Sequence, residues 1–281
     1  MRPLISIGLP VKNGFRYKSF DNTNLRKVLS SILNQTYENL EIVISDDCSN
    51  DETKEYLNKI SKSDDRIKIF FQKENLGWEE NFKFVLDKSK GEYFKWNCQD
   101  DIISRDYIEK NYNFLKNNND YIACSSKFIY ENNPTKHLAF NLDQGLFKRI
   151  KKFFIYRHIS HNLLFSLIRM KNIKKTIDLS KKYWAIDWIF DLDLLFQGKF
   201  KTIEYGLIRF GVHGASKKDE YKFKRNLLSK KIYRIIPFYE LMKHIFNKIY
   251  KLDSLTIFEK ISLCLSLVKI NLYFFKKNFF R

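Results

Sequence analysis

The chain has 281 residues, 44% of them hydrophobic and 16% aromatic, with 51 Lys+Arg against 32 Asp+Glu. That apolar content supplies a packed core and excludes a mainly disordered chain; nine Gly and four Pro exclude collagen-like and low-complexity classes. Four separated cysteines, Cys48, Cys98, Cys124 and Cys264, make neither a disulfide framework nor a C-x-x-C metal site, which fits a reducing compartment.

Residues 4–9 read as a buried strand, and Leu25, Val28, Leu29, Ile32 and Leu33 recur at helical spacing. A second buried strand, 41–45, ends in Asp46, Asp47 and Ser49, which are turn and cap residues. The alternation continues with a helix near 52–61, a strand at 67–71, a helix near 78–88, a strand at 92–97, a helix over 104–117 and a strand near 121–130. Strands followed by crossover helices predict an α/β, doubly wound sheet whose ligand lies outside the strands' carboxyl ends. Residues 146–182 read as basic helical or loop material, and beyond Lys217 only helices are expected.

The charge is uneven. Residues 1–145 are close to neutral, whereas 146–182 hold 11 Lys+Arg against one Asp+Glu and 217–281 hold 16 against 5. Blocks of this kind fit an anionic partner. Two acidic pairs, Asp46-Asp47 and Asp100-Asp101, each end a strand, where carboxylates can accept nucleoside hydrogen bonds or hold a hard cation. Helix capping is the competing role for both pairs. The H-x-x-H pair His158 and His161 has no Cys or Glu companion for zinc. Glycine-rich dinucleotide and P-loop motifs, the zincin motif and aromatic RNA-binding motifs do not occur.

The stretches ISIGLPVKNG (5–14), LSSILNQTYENLEIVISDDCSNDET (29–53) and KGEYFKWNCQDD (90–101) resemble the family 2 glycosyltransferases of GT-A fold, mostly bacterial inverting enzymes that use nucleotide-diphosphate sugars. The resemblance implies a Rossmann-like, mixed but mostly parallel sheet over 1–216, with 217–281 as a basic helical extension. It implies that Pro10, Val11, Asn13, Asp46 and Asp47 contact the donor, with Asp47 at the uracil. It makes Asp100-Asp101 the DXD-type element, Asp101 being the metal ligand and Asp100 a donor contact, although Gln99 stands at the first acidic position. Asp187, eleven residues before Gly198, matches the family's catalytic base, with Ile186 where a Glu is usual; Asp191 and Asp193 are rivals expected to face solvent or pair with Lys. LIRFGVHGAS (207–216) resembles the element near the diphosphate and makes His213 a further metal ligand. Asn75 and Gly77 shape a loop near the donor, while Trp78, His161 and Asn162 are candidate sugar contacts.

The resulting expectation is a metal-dependent transferase, using Mn2+ or Mg2+, that moves a sugar from a UDP-sugar to a glycan or lipid-linked acceptor in lipopolysaccharide, O-antigen or capsule synthesis. A non-catalytic nucleotide-sugar-binding module is the alternative. No nucleic-acid partner is expected. The N-terminus lacks signal-peptide features, so the expected place is the cytoplasm, peripheral on the inner face of the membrane. The C-terminal helices are expected to dock on an anionic membrane surface, with packing on the domain or an oligomer contact as competing roles.

Overall fold

The computed structural model describes residues 2–15, 18–19, 22–156, 161–211 and 231–279. The strands are β1 (Ile5–Val11), β2 (Lys18–Ser19), β3 (Asn22–Thr23), β4 (Leu40–Asp46), β5 (Ile67–Phe71), β6 (Tyr93–Trp96), β7 (Ile102–Ile103), β8 (Tyr121–Tyr130), β9 (Asn133–Leu138), β10 (Leu167–Arg169) and β11 (Lys199–Phe210). The helices are α1 (Asn24–Leu33), α2 (Thr53–Ile60), α3 (Trp78–Asp87), α4 (Tyr107–Asn117), α5 (Leu146–Tyr156), α6 (His161–Leu164), α7 (Met170–Ile173), α8 (Ile186–Gln197), α9 (Lys231–Ile235), α10 (Tyr239–Tyr250) and α11 (Ile257–Phe279).

The main sheet runs β5-β4-β1-β6-β10-β8-β11-β7, and β9 pairs with β8. β5, β4, β1 and β6 are mutually parallel, as are β8 and β11. β10 is antiparallel to both β6 and β8, so three residues join the parallel halves. β1 and β4 are buried along their whole length, the pattern of strands covered on both faces.

Each face carries its own core. Leu25, Val28, Leu29 and Ile32 of α1 are fully buried with the apolar faces of α2 and α4. Burial of each such side chain contributes about 1.5–3 kcal/mol. The opposite core joins α3, α5, α6 and α8 to Leu241, Ile245 and Ile249 of α10 and Leu263 and Leu267 of α11. The C-terminal helices thus share a core with the sheet's helices. The expected division at residue 216 falls outside the described residues. Among those described, no helix is long and apolar enough to cross a membrane.

Candidate active site

Register brings the acidic pairs to one edge. Val11 lies opposite Asp46, and Gly8 opposite Trp96, so the segments after β1, β4 and β6 leave the sheet side by side. Lys12 is pinned to the third of them: its N–H donates to Gln99 Oε1 at 2.8 Å, and Gln99 Nε2 donates to its carbonyl at 3.1 Å. Asn13, at φ 49°, accepts from the Asn50 N–H at 3.0 Å, and its own N–H donates to Ser49 Oγ at 2.8 Å. Thr53 and Asp51 take the N–H groups of Gly14 and Phe15.

The two carboxylates after β4 have separate jobs. Asp46, 1% exposed, accepts from the backbone and hydroxyl of Ser49 and shapes the turn at Cys48, whose φ is 55°. Asp46 was expected as a donor contact; in this structure its oxygens are engaged by that turn. Asp47 is 2% exposed; its carboxylate takes the Leu76 N–H at 2.6 Å and the Gly77 N–H at 3.3 Å, with Lys12 Nζ at 3.7 Å. Gly77 sits at φ 91°, which a side chain rarely tolerates, and this turns both N–H groups toward Asp47. Asp47 is therefore a brace between the β1 and β5 loops, not an open acceptor. Pro10 and Val11 are likewise buried in β1, with the Val11 carbonyl taken by the Asp47 N–H at 2.8 Å. Lys12 and Asn75 are exposed, as are Cys48 and Asn50, and Asn13 is half-buried.

Asp100 is half-buried and Asp101 is 4% exposed, its Oδ1 accepting the Gly211 N–H at 3.0 Å. Burial, and next the charge of Asp100, push the Asp101 carboxyl well above its ordinary range. Close by, Lys95 is fully buried, donating to the carbonyls of Trp96 and Phe165 at 2.9 Å each, and burial pushes its ammonium down. Two crowded carboxylates of this kind suit a divalent cation, which would relieve their repulsion with hard oxygen ligands. Among the described residues, no cluster of three or more His, Cys, Asp and Glu could hold a metal alone. His213 lies outside the described residues.

Gly211 packs against Asp100: a Cβ there would come within 2.5 Å of Asp100 Cβ. Gly211→Ala is expected to displace the Asp100 carboxylate and weaken donor binding in the presence of Mn2+ at least severalfold, at a stability cost of about 1–3 kcal/mol. Calorimetric titration with UDP and Mn2+ checks this, and unchanged affinity would refute it.

Asp187 opens α8 just after Ala185, a non-glycine residue at φ 57°. Phe190, one turn on, meets Trp96 edge to face at 5.4 Å, which sets the start of α8 beside the end of β6. Asp187 is half-buried. Asp191 and Asp193 are each 2% exposed, so neither faces solvent, the first of the two roles expected of them. Asp191 Oδ1 has no hydrogen-bond partner among the described residues, and burial, followed by the charge of Asp187, pushes its carboxyl well above its ordinary range. Asp193 does pair with a lysine, Lys248 of α10, and also with His244 at 2.9 Å and the Ile177 N–H at 2.8 Å. Both rivals are thereby enclosed, and Asp187 is the acid at this helix start that retains access.

Trp78, the first residue of α3, is 37% exposed and set edge to face on Phe82 at 5.8 Å. Asn162 is fully buried, with Oδ1 accepting from Ser125 Oγ at 2.6 Å, so the expected sugar contact is corrected to a core position. His161 begins α6, but its side chain lies outside the described residues, as does His158. Sequence reasoning missed Gln99 as the clamp on Lys12, buried Lys95 and the Gly211 contact. Gln99 was visible only as a departure from an acidic motif.

The model of glycosyl transferase family 2 matches residues 6–176. An uncharacterized glycosyltransferase of Haemophilus influenzae is 30% identical over 243 residues, covering 83% of this chain and 72% of the relative. The putative teichuronic acid biosynthesis glycosyltransferase TuaG of Bacillus subtilis is 30% identical over 114 residues, 41% of this chain and 42% of its own length. In three dimensions the chain is similar to S. aureus TarS 1–349 in complex with UDP-GlcNAc, with a TM-score of 0.68, 17% identity, and coverage of 98% of this chain and 74% of that one. The mixed sheet and its flanking helices are a GT-A fold, and the chain belongs to glycosyl transferase family 2.

Proposed function

We propose that this glycosyltransferase moves one sugar, with inversion, from a UDP-sugar to a hydroxyl of a lipid-linked glycan during surface-polysaccharide synthesis at the cytoplasmic face of the membrane. One observation carries the reading: Asp187 is the accessible acid at the start of α8, beside the β6 end that leads into Asp100 and Asp101. The nucleoside lies against Lys12, Asn13 and Asn75, on loops that Asp47 braces. Trp78 packs on the sugar. Asp100 and Asp101 would hold Mn2+ or Mg2+, which would neutralise charge on the departing diphosphate. Asp187 accepts the acceptor's hydroxyl proton as that oxygen bonds to the anomeric carbon. The bond from that carbon to the diphosphate oxygen breaks, and UDP leaves with the electron pair, needing no proton. TuaG, named for teichuronic acid, and the UDP-GlcNAc bound to TarS support the acceptor class and the nucleotide.

The test is a donor panel scored by melting shift with Mn2+, because a ligand that binds only the folded state stabilises it by mass action, followed by UDP release on adding acceptor. UDP-sugars are expected to give the largest shifts. Asp101→Ala and excess EDTA are each expected to abolish the metal-dependent shift and transfer. Full activity in EDTA would overturn the metal role. Donor binding without UDP release on addition of any glycan would leave the binding-module reading, which Ile186 in place of the usual Glu allows.

A further inference from the structure

The two basic blocks of the sequence meet in the fold. α5, from the first, packs on α11, from the second, and Lys151 Nζ donates to Ser262 Oγ at 3.4 Å. α11 is apolar on two faces. Leu263, Leu267 and Ile270 are buried against the body of the protein, yet Ile257, Phe258, Ile261, Leu265, Val268 and Leu272 are 39–81% exposed. These six recur at helical spacing and form one outward stripe. Single exposed apolar residues need no explanation, whereas a continuous stripe marks an interaction surface. Ser262, Lys269 and Lys276 follow one another seven residues apart along the edge toward α5, where Lys148 and Lys151 are also exposed. Next to them Ile155 and Tyr156 are 56% and 42% exposed.

We propose that the α5–α11 pair is a docking surface for an anionic lipid bilayer, with α11 lying in the plane of the interface, its outer stripe among the acyl chains and the lysines at the headgroups. Charge selects this occupant over a second copy of the chain, since a seam between copies would set these lysines against their own kind. The inner face of α11 is already packed in the core, which holds the helix on the bilayer and keeps it from crossing. The proposal rests on the lipid-linked acceptor for its purpose, but vesicle binding is read without donor or acceptor, so either reading can fail alone.

The experiment is co-sedimentation of the full chain with vesicles of mixed phosphatidylglycerol and phosphatidylcholine, and of phosphatidylcholine alone, at low and high salt. Binding to the anionic vesicles is expected, weaker by about tenfold or more without phosphatidylglycerol or at high salt. Phe258→Glu with Leu265→Glu and Leu272→Glu, and separately Lys148→Glu with Lys151→Glu, are expected to lose about tenfold or more with an unchanged melting temperature. Phe258→Ser, at the 81%-exposed position, keeps the test open if the triple variant melts early. Equal sedimentation of the stripe variants, or no wild-type binding to either vesicle, would overturn the proposal. A wild-type dimer in light scattering that the stripe variant dissociates, without vesicle binding, would assign the face to a second copy instead.

Discussion

Asp187→Asn lowers turnover by about 10²-fold to 10⁴-fold, the usual loss when a general base is removed, while the melting shift given by UDP-sugar changes little. The amide keeps the shape of the side chain at the start of α8 and cannot take the acceptor's proton. Donor affinity is expected to be spared because, in the proposed arrangement, other loops hold the nucleoside and diphosphate. Asp191→Asn is the matched control. Asp191 sits one turn further into the helix, 2% exposed, its carboxyl pushed far up by burial and then by the Asp187 charge. An amide there keeps the size of an enclosed side chain, so turnover is expected to stay within a few-fold of wild type. Steady-state UDP release with a competent acceptor measures both variants. Wild-type turnover in Asp187→Asn, or a greater loss in Asp191→Asn, would move the base elsewhere.

Much of this arrangement was legible in the sequence because parallel strands are continuous apolar runs. IKIFF became β5 over the residues expected, and the helices at 52–61 and 78–88 lie within two residues of α2 and α3. β10 was not legible: three residues in a basic stretch show no period, and only pairing with β6 and β8 makes them a strand. The Asp46-Asp47 pair marked the edge of the crevice, but the different duties of its two members depend on the turn at Cys48 and on Gly77, which no local pattern records. WIFDLDLLF misled for a related reason. Its acids suggest a wet face, yet α8 is covered by the sheet's helices on one side and by α10 on the other. Both acids are then buried, Asp193 with partners that lie more than fifty residues on in the chain.

The second large effect concerns those partners. Lys248→Met combined with His244→Phe is expected to destabilise the protein by about 3–5 kcal/mol at neutral pH, because it strands the 2%-exposed Asp193 carboxylate with the Ile177 N–H as its remaining donor. Asp193→Asn is expected to cost only about 1–2 kcal/mol: it removes the buried charge, keeps an oxygen for Ile177, and lets Lys248 and His244, 29% and 31% exposed at their side chains, turn to water. Adding Asp193→Asn to the double variant is therefore expected to restore stability, the opposite of additive behaviour. Each kcal/mol appears as about 2–4 °C in melting temperature for a chain of this size. Acid supplies an independent check. Burial alone would raise the Asp193 carboxyl, but hydrogen bonds and charge from His244 and Lys248 overcome it and hold the group below its ordinary value. A lowered folded pKa means the stabilisation is complete above the unfolded value of about 3.9 and is lost as pH falls through the folded one. Wild type and Asp193→Asn are thus expected to differ most above about pH 5 and to converge in stronger acid. A double variant that melts no earlier than Asp193→Asn, or a triple variant that recovers nothing, would show that α10 is held on α8 by its apolar face and not by this buried charge.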